Sequence, residues 1–201
     1  MYYVSSMATY NSILGIVWFC FLLYWFISSF SAKKSLQNGV LWGSVLIRIG
    51  LIAVVFLALH FGLVKGSVLH QLIPHFYTSR DAYQILAILG DFISVLGLAL
   101  ALWARTILGR NWGMPMTLRA DPELVTTGPY AYIRHPIYTA LFLMILGSAL
   151  VEGSFWIIVL LIVFIYFYIS ARKEEVDMAM QFPDQYPAYK KRTKMMVPFL
   201  F

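Results

Sequence analysis

The chain has 201 residues, of which 61% are hydrophobic, 17% aromatic and only 12% charged, with a net charge of +6. A soluble domain is about half apolar and about a quarter charged, so this chain lacks the polar surface to cover a soluble fold. The composition excludes a soluble globular protein, a disordered chain and a disulfide scaffold, and predicts a single-domain polytopic membrane protein.

Met1 to Ser12 contain no Lys or Arg. The apolar run that follows is too long for the core of a signal peptide, so no cleaved leader is expected. A membrane span needs about 20 mostly apolar residues. The first predicted span runs from about Ile13 to Phe30 and stops at Lys33-Lys34. Its Cys20 is the single cysteine and reads as a small apolar packing residue. The second runs from about Val40 to Val64 and contains Arg48; the third runs from about Ile85 to Ala104 and contains Asp91. Ionisable residues inside spans are functional candidates by default. The plainer reading of Arg48 and Asp91 is a structural pair or a snorkelling arginine. The fourth span runs from about Ile137 to Val151 and the fifth from about Phe155 to Ala171. Only Glu152-Gly153-Ser154 separates them, which predicts a tight antiparallel hairpin.

Twelve of the fifteen Lys and Arg residues fall on one side of these spans. The positive-inside rule then puts the N-terminus outside and the C-terminus in the cytosol. The basic excess thus marks topology and anionic headgroups rather than nucleic acid. No internal repeat is evident, and there is no Gly-rich phosphate loop. His60, His70, His75 and His135 show no metal-ligand spacing, so no metal site is expected.

Two cytosolic segments do not read as ordinary loops: Arg105 to Pro136, and the tail from Arg172 to Phe201. In the first, Gly128-Pro129 signals a turn. His135-Pro136 is a second break, because the residue before a proline avoids helical geometry. The fourth span then starts with Pro136 in its first turn, leaving free N–H groups that suit a carboxylate, beside Arg134 and His135. The alternative is a membrane-insertion motif, with Tyr130, Tyr132 and Tyr138 as an aromatic belt and Arg134 on a lipid phosphate. In the second segment the fifth helix is predicted to run on to Gln181, where Phe182-Pro183 ends it. Glu174 and Glu175 sit just past the membrane exit, as an ammonium site or as a solvated charge run. Tyr186, Tyr189, Lys190, Lys191, Arg192 and Lys194 form a basic aromatic strip, most plainly attached to lipid headgroups. Val197 to Phe201 is expected to pack back on the bundle.

These residues carry a resemblance. Arg105…Leu108-Gly109-Arg110-Asn111-Trp112, Leu124-Val125-Thr126-Thr127-Gly128-Pro129-Tyr130 and Arg134-His135-Pro136-Ile137-Tyr138 are its first part. Arg172-Lys173-Glu174-Glu175, Phe182, the Tyr186/Tyr189 pair and Val197-Pro198-Phe199 complete it. The chain resembles a bacterial-type member of the isoprenylcysteine carboxyl methyltransferase family, within the wider integral-membrane and phospholipid methyltransferase group. Ala140 and Pro183 depart from it, standing where that family usually has glycine.

The resemblance implies an all-α membrane bundle of about five transmembrane helices. Its cytosolic cofactor site is formed by the loop before helix four and the C-terminal tail. Residues 1–84 are then variable N-terminal spans, and 85–201 the catalytic core. It implies S-adenosylmethionine as cofactor, held by Val125, Tyr132, Arg134, His135, Pro136, Tyr138, Glu174 and Glu175, with Arg172 near the methyl acceptor. The expected acceptor is a prenyl-like carboxylic acid or another lipophilic molecule. The alternatives are a phospholipid amine N-methyltransferase and a non-catalytic transport or assembly protein.

Overall fold

The computed structural model describes residues 2–30, 79–112, 123–153 and 155–196. The predicted second span with Arg48, the histidines at 60, 70 and 75, and the apolar end from Val197 lie outside the described residues. The fold is all-helical. Five α-helices are described: α1 (Tyr2–Ser29), α2 (Arg80–Leu108), α3 (Pro136–Glu152), α4 (Phe155–Gln181) and α5 (Tyr186–Arg192). Among the described residues three stretches are long and apolar enough to cross a membrane: Ser12–Ser29, Asp81–Asn111 and Trp156–Gln181. Ile16, Phe19, Ile88, Phe92, Leu161, Ile162 and Ile165 expose most of their surface outward on α1, α2 and α4. Such a band of large apolar side chains faces lipid rather than water. The protein is integral to a membrane.

Helix ends follow local rules. Ser79 caps α2 by accepting from the Ala82 N–H at 3.2 Å. α3 opens on Pro136, whose missing N–H costs nothing in a first turn. α4 runs through the charged residues to Gln181 and stops before Phe182-Pro183, as the sequence predicts. Its 27 residues span about 40 Å, against a hydrocarbon core of about 30 Å. Its last turns therefore stand clear of the lipid. α1 differs from expectation, starting at Tyr2 rather than near Ile13.

The hairpin between α3 and α4 turns at Gly153, whose φ of 102° is open to glycine. Phe142 meets Phe164 and Tyr138 meets Phe167, so the two helices run antiparallel in register. α2 packs on α3 through small residues. A Cβ on Gly97 would lie 2.8 Å from the Ala140 carbonyl oxygen, and one on Gly90 2.6 Å from that of Gly147. A Cβ on Gly147 would collide with Ser94 Oγ and the Gly90 carbonyl. Small residues let backbones in a membrane approach closely, and dispersion then replaces the hydrophobic effect that lipid cannot supply. α1 closes the core. Val17, Trp18 and Phe21 pack with Ala101, Ala140, Met144, Ile145, Ala149 and Trp156. Trp18 Nε1 donates to Ser148 Oγ at 3.1 Å.

Asp91 is buried on α2, and neither of its carboxylate oxygens has a hydrogen-bond partner among the described residues. Its proposed partner Arg48 lies outside them.

The seam between α2 and α3 gives a direct test. Gly147→Ala forces backbone apart, because one of the atoms it meets is a carbonyl oxygen. Overpacking of this kind costs about 1–3 kcal/mol. Gly147→Ala is expected to melt well below wild type in detergent. Gly109→Ala, where nothing lies within 4 Å, is expected to shift the melting point less, through backbone strain alone.

Candidate functional site

The polar residues gather where the C-terminal ends of α1, α2 and α4 meet the N-terminus of α3. Arg105 is fully buried there. Its guanidinium donates to the Ser28 and Gly109 carbonyls, each at 2.6 Å, and lies 4.8 Å over the Trp112 ring. Arg105 and Trp112 therefore tie α1 to the end of α2. Gly128–Ala131 forms one 3₁₀ turn that buries Pro129 and Tyr130.

The next residues build the site. Arg134 Nε donates to Glu175 Oε1 at 2.7 Å. Arg134 Nη1 donates to the Thr193 carbonyl at 2.5 Å and to that of Lys190 at 3.2 Å. Lys190 Nζ lies 2.7 Å from Glu175 Oε2. Tyr138 donates its hydroxyl to Glu174 Oε1 at 2.5 Å. His135 Nδ1 is 3.5 Å from Glu174 Oε2, and His135 Nε2 is 3.8 Å from Glu175 Oε1. That second distance is beyond hydrogen-bond range, and Nε2 is buried with no hydrogen-bond partner among the described residues. Phe167, Tyr138 and His135 stack in a column, with centroid spacings of 4.5 and 5.4 Å.

The tail completes the cluster by backbone pairing. Ile133 and Lys194 form a parallel bridge. The Arg134 N–H donates to the Lys194 carbonyl at 2.8 Å, and the His135 N–H to that of Met195 at 3.0 Å. Lys194 N–H donates back to the Tyr132 carbonyl at 3.1 Å. Thr139 Oγ1 donates to the Met196 carbonyl at 2.6 Å. Tyr189 donates its hydroxyl to the Tyr130 carbonyl at 2.8 Å. Burial pushes the Tyr189 phenol up to about 12, so it remains a donor at neutral pH.

Five of the residues predicted from sequence thus come together: Arg134, His135, Tyr138, Glu174 and Glu175. Pro136 is buried beneath them as the first residue of α3. Val125 is half-buried in the extended run before the 3₁₀ turn. Tyr132 exposes 62% of its surface and joins the tail through its carbonyl. Arg172 is exposed one turn before Glu175 on α4, where it borders an open surface depression with Lys173, Val176 and Asp177. The basic aromatic strip divides. Tyr186 and Tyr189 are buried and Lys190 is engaged with Glu175, while Lys191 and Arg192 are exposed. The aromatic belt divides likewise, since Tyr130 and Tyr138 point inward.

The arrangement sets two carboxylates against an arginine, a lysine and an imidazole. It does so at a helix N-terminus that no side chain caps. Such a site matches a zwitterion carrying both an ammonium and a carboxylate.

Fold and site together define a membrane-helix protein whose polar machinery sits at one edge of the bilayer. The chain belongs to the phospholipid methyltransferase family, whose model matches residues 85–185, half of its length. It is 34% identical over 82 residues to the protein-S-isoprenylcysteine O-methyltransferase of Schizosaccharomyces pombe, covering 40% of this chain and 35% of that protein. It is 32% identical over 111 residues to the nickel-cobalt-cadmium resistance protein NccN of Alcaligenes xylosoxydans xylosoxydans, covering 54% of this chain and 49% of that protein. The chain spans about a third to a half of these curated relatives. The structure of the eukaryotic intramembrane Ras methyltransferase ICMT is similar in fold. Its TM-score is 0.51 at 21% identity, over 82% of this chain and 55% of that one.

His135 gives the site a pH dependence. Burial opposes charge on the imidazole, but the adjacent Glu174 and Glu175 carboxylates outweigh it and lift His135 above its ordinary 6.5. A raised value means that the imidazolium's stabilisation is complete below the unfolded value and is lost as pH rises through the folded one. The melting-temperature gap between wild type and His135→Asn is therefore expected to be widest below the ordinary 6.5 and to narrow as the pH rises above it. A gap that widens with pH contradicts the assignment.

Proposed function

We propose that this protein transfers the methyl group of S-adenosylmethionine to a lipophilic acceptor, foremost the carboxylate of a prenyl-like molecule. One observation carries the reading: Arg134, His135 and the start of α3 face Glu174 and Glu175 across a few ångströms. Family membership supports the same cofactor.

The residues fit the amino-acid end of that cofactor. His135 Nε2 is a buried polar atom without a hydrogen-bond partner among the described residues, and the N-terminus of α3 has no side-chain cap. With Arg134, they would hold a carboxylate. Glu174, half-buried and held by a tyrosine hydroxyl and a longer imidazole contact, would hold an ammonium with Glu175. Val125, Tyr132 and Tyr138 complete the assignment carried from the resemblance; the Tyr138 ring is covered by His135 and Phe167, so its part is to hold Glu174 through its hydroxyl. When bound, the cofactor supplies a methyl group already activated by its sulfonium.

The remaining work for the protein is alignment and exclusion of water. Arg172, exposed at the membrane exit of α4, would orient an acceptor carboxylate that slides in along the lipid-facing side. A carboxylate is already a nucleophile and needs no base. An amine acceptor must lose a proton, and here both glutamates are engaged by donors. That occupancy favours the carboxylate over the phospholipid-amine alternative. We further infer a bacterial inner membrane with the N-terminus outside and the polar end in the cytosol, where the cofactor is soluble. Residues 85–201 then form the catalytic core and residues 1–84 the variable spans.

Purified protein is expected to bind S-adenosylhomocysteine by calorimetry. Glu174→Ala or His135→Ala is expected to weaken binding at least about tenfold, or about 1.4 kcal/mol. Unchanged affinity in both variants removes the site assignment, and no binding by wild type removes the cofactor. Labelled S-adenosylmethionine incubated with a membrane lipid extract is expected to yield a labelled apolar product sensitive to Arg172→Ala.

A further inference from the structure

Glu175 is the more enclosed of the two carboxylates of the site, with a side chain only 2% exposed. Its two oxygens are served differently. Oε1 accepts from Arg134, whose guanidinium is itself fixed by the Thr193 and Lys190 carbonyls. Oε2 faces Lys190 Nζ at 2.7 Å, and the Lys190 side chain is 46% exposed. The arginine is therefore built in, while the lysine reaches in from solvent. The Lys190 backbone is held independently, through its carbonyl on Arg134 and through the buried Tyr189 beside it. Its side chain is half exposed, and these backbone anchors do not involve its ammonium.

We propose that Lys190 is an exchangeable internal counter-ion: it neutralises Glu175 in the free protein and yields Oε2 to the ammonium of an incoming zwitterion. The inference rests on the proposed cofactor. A buried carboxylate with one cation removed is costly, so a site that binds an ammonium there needs a substitute cation when empty. The exchange conserves charge, since one ammonium replaces another. Lys190 thereby sets affinity for ligands that carry the amino group and is indifferent to those that lack it.

The test compares S-adenosylhomocysteine with methylthioadenosine, which shares the nucleoside but lacks the amino-acid end. Both are titrated by calorimetry into wild type, Lys190→Met and Lys190→Arg. Glu175 keeps Arg134 in these variants and Lys190 is partly exposed, so loss of the competitor is expected to tighten S-adenosylhomocysteine by only about three- to fivefold. Methylthioadenosine affinity is expected to stay unchanged. Lys190→Arg, which keeps the cation, is expected to stay close to wild type for both. Melting in detergent without ligand verifies that each variant is folded, and Lys190→Gln carries the same comparison if Lys190→Met is not. Unchanged or weaker S-adenosylhomocysteine binding in the neutral variant, or an equal shift for both nucleosides, overturns the inference while leaving the cofactor intact. Absence of binding in all the proteins overturns the cofactor and this inference together.

Discussion

A carboxylate buried as deeply as Glu175 must be compensated, and much of the polar end is arranged to do so. Leaving such a charge without its partner costs about 3–5 kcal/mol. The charge and its compensation come from three separate parts of the chain. Arg134 arrives from the turn before α3, Lys190 from α5, and Glu175 itself from the last turns of α4. The Thr193 carbonyl on Arg134 and the parallel bridge between Ile133 and Lys194 follow from the same demand. They bring the tail back as a strap across the start of α3.

That cluster is held in place by the bundle below it. Gly90, Ser94, Gly97 and Ala101 present small side chains along α2, and α3 lies against them almost backbone to backbone. The position of α3 is thus set by contacts too close to adjust, so its N-terminus is a fixed point. Arg105 secures the same end from the other side by joining α1 to α2. The polar site therefore stands on a rigid floor, the condition under which a few oriented groups act as a binding site rather than a loose charge run.

Much of this was legible from residues whose physics is local. Pro136 and Phe182-Pro183 marked the start of α3 and the end of α4 because proline restricts its own neighbourhood. Glu152-Gly153-Ser154 marked the hairpin because so short a link leaves no other geometry. The paired glutamates and Arg134-His135 stood out because ionisable residues are rare in this chain. Other features had no local signal. The pairing of Ile133 with Lys194 joins backbones about sixty residues apart in sequence and leaves no periodicity to read. Tyr186 and Tyr189 looked like interfacial aromatics, yet the tail's fold buries both. Lys190 stood in a run of like charges, and only the return of the tail distinguished it from Lys191. The small-residue seam was readable, at spacings of four, three and four, but apolar composition alone does not separate a seam from a lipid face.

The division between Glu175 and Arg172 carries the last step. Three residues apart on a helix, they lie within reach of one another, and a charge run of this kind ordinarily pairs with itself. Here Arg134 and the tail's Lys190 engage Glu175 instead, and Arg172 is exposed on the adjoining flank of α4. The helix thus carries two chemistries at one depth. One face is enclosed and charge-balanced, suited to a polar zwitterion. The other opens beside Ile165 and Ile169, where exposed apolar side chains adjoin an exposed cationic one. A reaction that joins a water-soluble donor to a lipid-soluble acceptor needs both environments within a few ångströms, separated by a barrier to water. A single helix that outruns the bilayer by a few turns is enough to provide them.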